Sequence, residues 1–111
     1  MKLPAHTQIA REKLTGYLLV RRPVGDKSEF LKQAGYTLDN PQRLEEDIRK
    51  QILAQDAVSL EKTNYGELFE IRGSLAGPNK KVLKVKTVWM QELGTGITKF
   101  ITLYPDKGGT P

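Results

Sequence analysis

The chain has 111 residues, 38% hydrophobic and 28% charged, a length and balance that fit one domain with one packed core and exclude a disordered chain. With no cysteine and a single histidine it has no material for disulfides, thiolate catalysis or a standard zinc site, so neither a metal nor a cofactor is expected. The formal net charge is +5, and residues 72–91 hold five basic side chains and no acidic one, a concentration suited to phosphate backbones or to an acidic partner protein.

No apolar run approaches the length of a bilayer span, and the opening "MKLPAHTQIAR" lacks the apolar segment of a secretory signal. A soluble, cytoplasmic product without membrane association is expected. Its organisation reads as a single domain over 1–111, with an ordered core at about 9–105 and a flexible tail at 106–111, "DKGGTP".

Helical periodicity dominates before residue 56. In "IAREKLTGYLL" the positions Ile9, Lys13, Leu14, Tyr17 and Leu18 share a stripe that predicts a core-facing helix, weakened by Gly16. "GDKSEFLKQAGY" predicts a short helix capped by Asp26, with Glu29 three residues on and Gly35 as its stop. "NPQRLEEDIRKQILAQ" predicts a third, with Asn40 as cap, Pro41 in the first turn and Leu44, Ile48 and Ile52 on one face. Glu45 and Arg49, like Glu46 and Lys50, stand four residues apart in the favourable order.

Beyond Asp56 the period becomes two. Strands are predicted at about 57–63, 67–76, 81–91 and 96–104, separated by the turn signals "NYG", "AGPN" and "LGTG". Connectors this short favour an antiparallel meander, since parallel pairing needs a long crossover. The expected fold class is therefore α+β, with about three N-terminal helices packed on one face of a four-stranded antiparallel sheet.

Alternation divides each strand between two faces. Phe69, Ile71 and Leu75, Leu83, Val85, Thr87 and Trp89, and Ile97, Ile101 and Leu103 form the expected core side, with Lys99 among the last set. The open side then carries Glu70, Arg72, Lys84, Lys86, Thr98, Thr102 and Tyr104, interrupted by Leu68, Met90 and Phe100. Such a surface suits RNA, whose phosphates are held by arginine and lysine and whose unpaired bases stack on aromatic rings. It also has the parts for metal-free phosphodiester cleavage: a carboxylate or phenol to move a proton, and cations to stabilise the developing charge. The candidate catalytic residues are Glu70, Arg72, Lys86, Thr102 and Tyr104, and the candidate nucleic-acid contacts are Lys27, Lys80, Lys81 and Lys84. A solvated sheet face with Glu70 paired to a cross-strand lysine has the same composition.

The segments "KLTGYLL" (13–19), "DKSEFLKQAGY" (26–36), "NYGELFEIRGSLAGPN" (64–79), "VKTVW" (85–89) and "TLYP" (102–105) resemble a family of small bacterial domains of unknown function. Its pattern is similar to KLxxYLL, KxxFF, YG, GPN, VW and TxYP in that order, with Ile101 here in place of a valine and Lys80 in place of the glycine after GPN. Members of that family occur alone or at the ends of polymorphic toxins. The resemblance implies that Lys27, Tyr65, Thr102 and Tyr104 are positions to test, that Thr87 and Trp89 are structural, and that a nuclease activity is plausible.

Three functions follow as expectations. The first is a metal-independent ribonuclease-like toxin domain acting on RNA and restrained by a small acidic antitoxin or immunity protein. The second is a non-catalytic module that binds nucleic acid or an acidic protein. The third is an immunity or accessory protein that docks a partner along an exposed strand edge.

Overall fold

Strong alternation in the C-terminal half produces four antiparallel strands in a computed structural model that describes residues 1–21, 23 and 27–106. They are β1 (Val58–Lys62), β2 (Gly66–Ala76), β3 (Val82–Glu92) and β4 (Thr98–Pro105), side by side in the order β1-β2-β3-β4. Asp106 prolongs the ladder by donating its N–H to the Lys84 carbonyl at 2.8 Å. The rest of the expected flexible tail, 107–111, and the expected cap Asp26 lie outside the described residues.

Among the described residues two substantial helical segments and one short helix precede the strands, roughly the three expected. Helix α1 starts at Arg11–Lys13 and continues over Leu14–Leu18 in the wider π winding, with Leu19 N–H bonded to the Leu14 carbonyl. Helix α3 runs over Pro41–Asp47 and likewise continues with π winding over Ile48–Leu53. Between them α2, Ser28–Lys32, is a single short turn. It ends before Gly35, whose φ of +93° is the left-handed conformation that suits a glycine after a helix. Pro41 occupies the first turn of α3 as expected, but Asn40 is no side-chain cap: its amide reaches back to Thr37 N–H at 2.9 Å and the Gly35 carbonyl at 3.1 Å. Of the two expected helix pairs, Glu45–Arg49 forms at 3.5 Å. Arg49 also donates to the carbonyls of Ala5 and Thr7, tying down the N-terminal segment.

Leu14, Leu18, Leu31, Leu44, Ile48 and Ile52 from the helices meet Phe69, Ile71, Leu75, Val85, Trp89 and Leu103 from the sheet in one buried core. Trp89 sits at its centre, edge-on to Phe100 with ring centroids 5.2 Å apart. Its indole N–H donates to Thr87 Oγ1 at 2.7 Å, and that hydroxyl donates to the Ile71 carbonyl at 2.9 Å. Thr87 thus lets a tryptophan be fully buried without stranding its polar atom.

Burial of Phe100 overturns its expected place on the open face. β4 pairs Trp89 with Phe100 but Val88 with Thr102, so Ile101 is an extra residue, a β-bulge. Alternation therefore restarts at Ile101. Thr98 and Phe100 face the helices, Leu103 does so after the bulge, and Ile97 and Lys99 leave the expected core set; Ile97 is exposed.

Two contacts close the sheet ends. β1 pairs with β2 only from Glu67 to Glu70, and farther along the Gln51 side chain substitutes for a strand, accepting from Ala76 N–H at 2.7 Å and donating to its carbonyl at 3.0 Å. The "GPN" turn docks on the end of α2. Asn79 Nδ2 donates to the Gln33 carbonyl at 2.9 Å, and Gly77 approaches so closely that an added Cβ would fall 2.0 Å from the Ala34 carbonyl oxygen.

A buried polar chain also crosses the core. The Tyr36 hydroxyl donates to Asp47 Oδ2 at 2.7 Å, and Asp47 in turn accepts from Arg43 Nε at 2.9 Å. Burial, reinforced by the Asp47 bond and charge, pushes the Tyr36 phenol far above its ordinary pKa. Tyr36→Phe keeps the ring volume and removes a hydrogen bond to a buried carboxylate whose Oδ2 keeps only its bond from Arg43, so unfolding in urea should show a loss of about 1.5–3 kcal/mol. An unchanged midpoint and slope would show that the bond contributes nothing net.

Candidate functional site

Strand register sets the open face row by row. Arg72, Lys86 and Tyr104 are direct cross-strand neighbours on β2, β3 and β4, and Glu70, Val88 and Thr102 form the adjacent row. All five expected catalytic residues thus lie in two neighbouring rows. Lys84, opposite Ser74, extends the basic stripe toward Lys81 and Lys80 in the β2–β3 turn, where Lys80 takes a φ of +73°. The helices cover the other face; Arg72, Lys84 and Tyr104 are exposed and Glu70 and Lys86 half-buried, but Thr102, expected on the accessible surface, is buried with its hydroxyl accepting from Lys27.

Charge on this face is unevenly committed. Arg72 Nε donates to Glu70 Oε1 at 2.9 Å, within one strand rather than across the sheet to a lysine. That hydrogen bond, then the Glu70 charge, raises the Arg72 pKa further. Glu70 Oε2 makes no hydrogen bond among the described residues. Lys84 and Lys86 make no ion pair among them, so the net positive charge of the face is concentrated on β3.

At the outer margin of β4 the sheet meets α1 and the start of α2, and Lys27 joins them. Its Nζ donates to Tyr17 Oη at 2.7 Å and to Thr102 Oγ1 at 3.1 Å. The same ammonium stands 4.8 Å from the Tyr17 ring centroid and 4.6 Å from that of Tyr104. The Tyr104 ring face and two hydroxyl oxygens hold the cation in place, with cation–π attraction to Tyr104 adding to the hydrogen bonds. No carboxylate pairs with it among the described residues. The cleft here, about 440 Å³, is lined by Lys13, Tyr17, Lys27, Ile101, Thr102 and Tyr104.

Lys27, expected as a surface contact, is therefore built into the same site as Thr102 and Tyr104. Tyr17 and Lys13 were missed, because their helical spacing with Leu14 and Leu18 reads as a core stripe. Leu14 and Leu18 are buried, whereas Lys13 and Tyr17 lie at the stripe's border and line the cleft. The signal that could have found them is the pairing of "K" and "Y" four residues apart in "KLTGYLL", one polar edge on an otherwise apolar helix. Tyr65 does not join the site. It is exposed in the β1–β2 loop beside Leu93, about 20 Å along β3 from Lys86.

Among the described residues no group of three or more His, Asp or Glu side chains comes together in a way that would hold a metal ion, and no helix is long and apolar enough to cross a membrane. A family model described as a domain of unknown function (DUF6883) matches residues 2–107. No curated protein and no solved structure matches the chain.

The cradle makes a chemical prediction. Amine-reactive labelling read by mass spectrometry should modify Lys27 several-fold more slowly than Lys80, Lys81 or Lys84, and Tyr104→Ala should raise the Lys27 rate. Equal rates for all four lysines would show that the Tyr104 ring and the hydroxyls do not restrain the ammonium.

Proposed function

Because the chain belongs to the DUF6883 family, whose description assigns no function, we propose from the geometry that it binds RNA on the open sheet face and cleaves it without a metal, as a ribonuclease-like toxin domain. The observation that carries this reading is the Arg72–Lys86–Tyr104 row, flanked by Glu70 on one side and Lys27 on the other. A phosphate over Lys86 has a carboxylate on its β2 side and a phenol on its β4 side. Three adjacent strands span about 10 Å, which leaves room for one phosphodiester between base and acid.

In this reading the 2′-oxygen bonds to phosphorus as the bond to the 5′-oxygen breaks. The 2′ proton passes to Glu70 Oε2, the oxygen that Arg72 leaves unengaged, and the departing 5′-oxygen takes the Tyr104 phenol proton. The product is a 2′,3′-cyclic phosphate and a 5′-hydroxyl. Lys86 and Lys27 stabilise the charge that builds on the phosphoryl oxygens, and Arg72 orients the carboxylate. A small acidic protein that covers Lys84 and Lys86 would block the same face, which is the form an antitoxin or immunity partner would take.

A non-catalytic binding module is the second reading, and the Glu70–Arg72 bond favours it, since it ties the only carboxylate of the two rows to a cation. Cleavage separates the two. With EDTA present, the ribonuclease reading predicts that single-stranded RNA is cut to cyclic-phosphate ends, and that Tyr104→Phe and Glu70→Gln each lower the rate by roughly 10²–10⁴-fold in a folded protein. Binding that weakens steeply with salt while the RNA stays intact would instead establish the module.

A further inference from the structure

The Lys27 ammonium has three protons, and two are donated to Tyr17 and Thr102. Among the described residues the third has no acceptor, which leaves it for a ligand oxygen at the cleft that Lys13 and Ile101 also line. Tyr104, stacked on that ammonium, is still 45% exposed. Cation and ring are therefore fixed side by side, and the cleft volume of about 440 Å³ falls within the ordinary range of small-ligand sites, about 300–1,000 Å³.

From this we infer that the cleft is a subsite for one unpaired nucleotide, its phosphate on Lys27 and its base stacked on Tyr104, so that the substrate class is single-stranded RNA. This rests on the proposed RNA reading and narrows it. In an A-form duplex the bases are stacked within the helix and cannot turn outward onto a side-chain ring, whereas a single strand offers each base in turn. The arrangement also separates two properties of one residue. The Tyr104 ring serves binding and its hydroxyl serves proton transfer.

The test uses fluorescein-labelled 2′-O-methyl RNA, which lacks the nucleophile and so reports binding alone, as a single strand and as a duplex, read by anisotropy across a salt series. The single strand should bind more tightly. Tyr104→Phe should leave its affinity near that of the unaltered protein, and Tyr104→Ala should weaken it roughly 5- to 150-fold. Lys27→Gln should lower the slope of log affinity against log salt by roughly 0.7, the release expected for one phosphate of a single strand, and it stands as the second variant should Tyr104→Ala fold poorly. Equal binding of duplex and single strand, full affinity in a folded Tyr104→Ala protein, or an unchanged slope in Lys27→Gln would overturn the inference, while RNA cleavage in EDTA would keep the broader function intact. Absence of any binding together with absence of cleavage would overturn both.

Discussion

The extra residue at Ile101 is the constraint on which the site depends. Uninterrupted alternation would put Phe100, Thr102 and Tyr104 on one face of β4. Either the ring that packs edge-on to Trp89 would be lost from the core, or the hydroxyls would be buried among Ile71, Val85 and the helix leucines. By absorbing one residue, β4 places Phe100 inward against Trp89 and then Thr102 and Tyr104 outward beside Val88 and Lys86. The bulge thus satisfies the core and the open face with one strand. It lies next to the cleft, where bulges commonly redirect side chains near functional sites.

Around that bulge the cations divide into two kinds. Arg72 is answered by Glu70 in the adjacent position of its own strand. Lys27 is held by neutral groups, the Tyr104 ring, the Tyr17 phenol oxygen and the Thr102 hydroxyl, which fix its direction without cancelling its charge. Restraint of that kind is what an anion site needs, because the ordering of a long flexible side chain is already met before a ligand arrives. The elements that provide it come from three parts of the chain: Tyr17 on α1, Lys27 before α2 and Thr102 with Tyr104 on β4.

Much of the architecture was legible because its causes are local. Alternation over residues 67–76 and 81–91 and the turn signals "NYG" and "AGPN" correspond to β2, β3 and their connections, and Trp89 and Phe69 are buried where aliphatic company on their face implied. β4 was legible only in part. The pull of Trp89 on Phe100 that makes the bulge is a tertiary contact, invisible to any period, and it inverted the expected faces of Thr98 and Phe100 while leaving Thr102 and Tyr104 outward. Asn40 looked like a helix cap and serves the preceding turn instead, since Gly35 and Thr37 offer it two partners at once. Tyr17 was hidden for a similar reason: a phenol at helical spacing with leucines reads as core until a distant lysine is seen to reach it.

The proposed contact of Lys27 and Lys86 with the phosphates of one bound strand is open to direct measurement. It is tested most directly by following the lysine side-chain nitrogens by NMR while single-stranded 2′-O-methyl RNA is added at physiological salt. Saturable shifts at Lys27 and Lys86, with Lys2 and Lys62 unmoved, are the expected result. Shifts spread evenly over all lysines that vanish with added salt, or a Lys27 resonance that never moves, would contradict it.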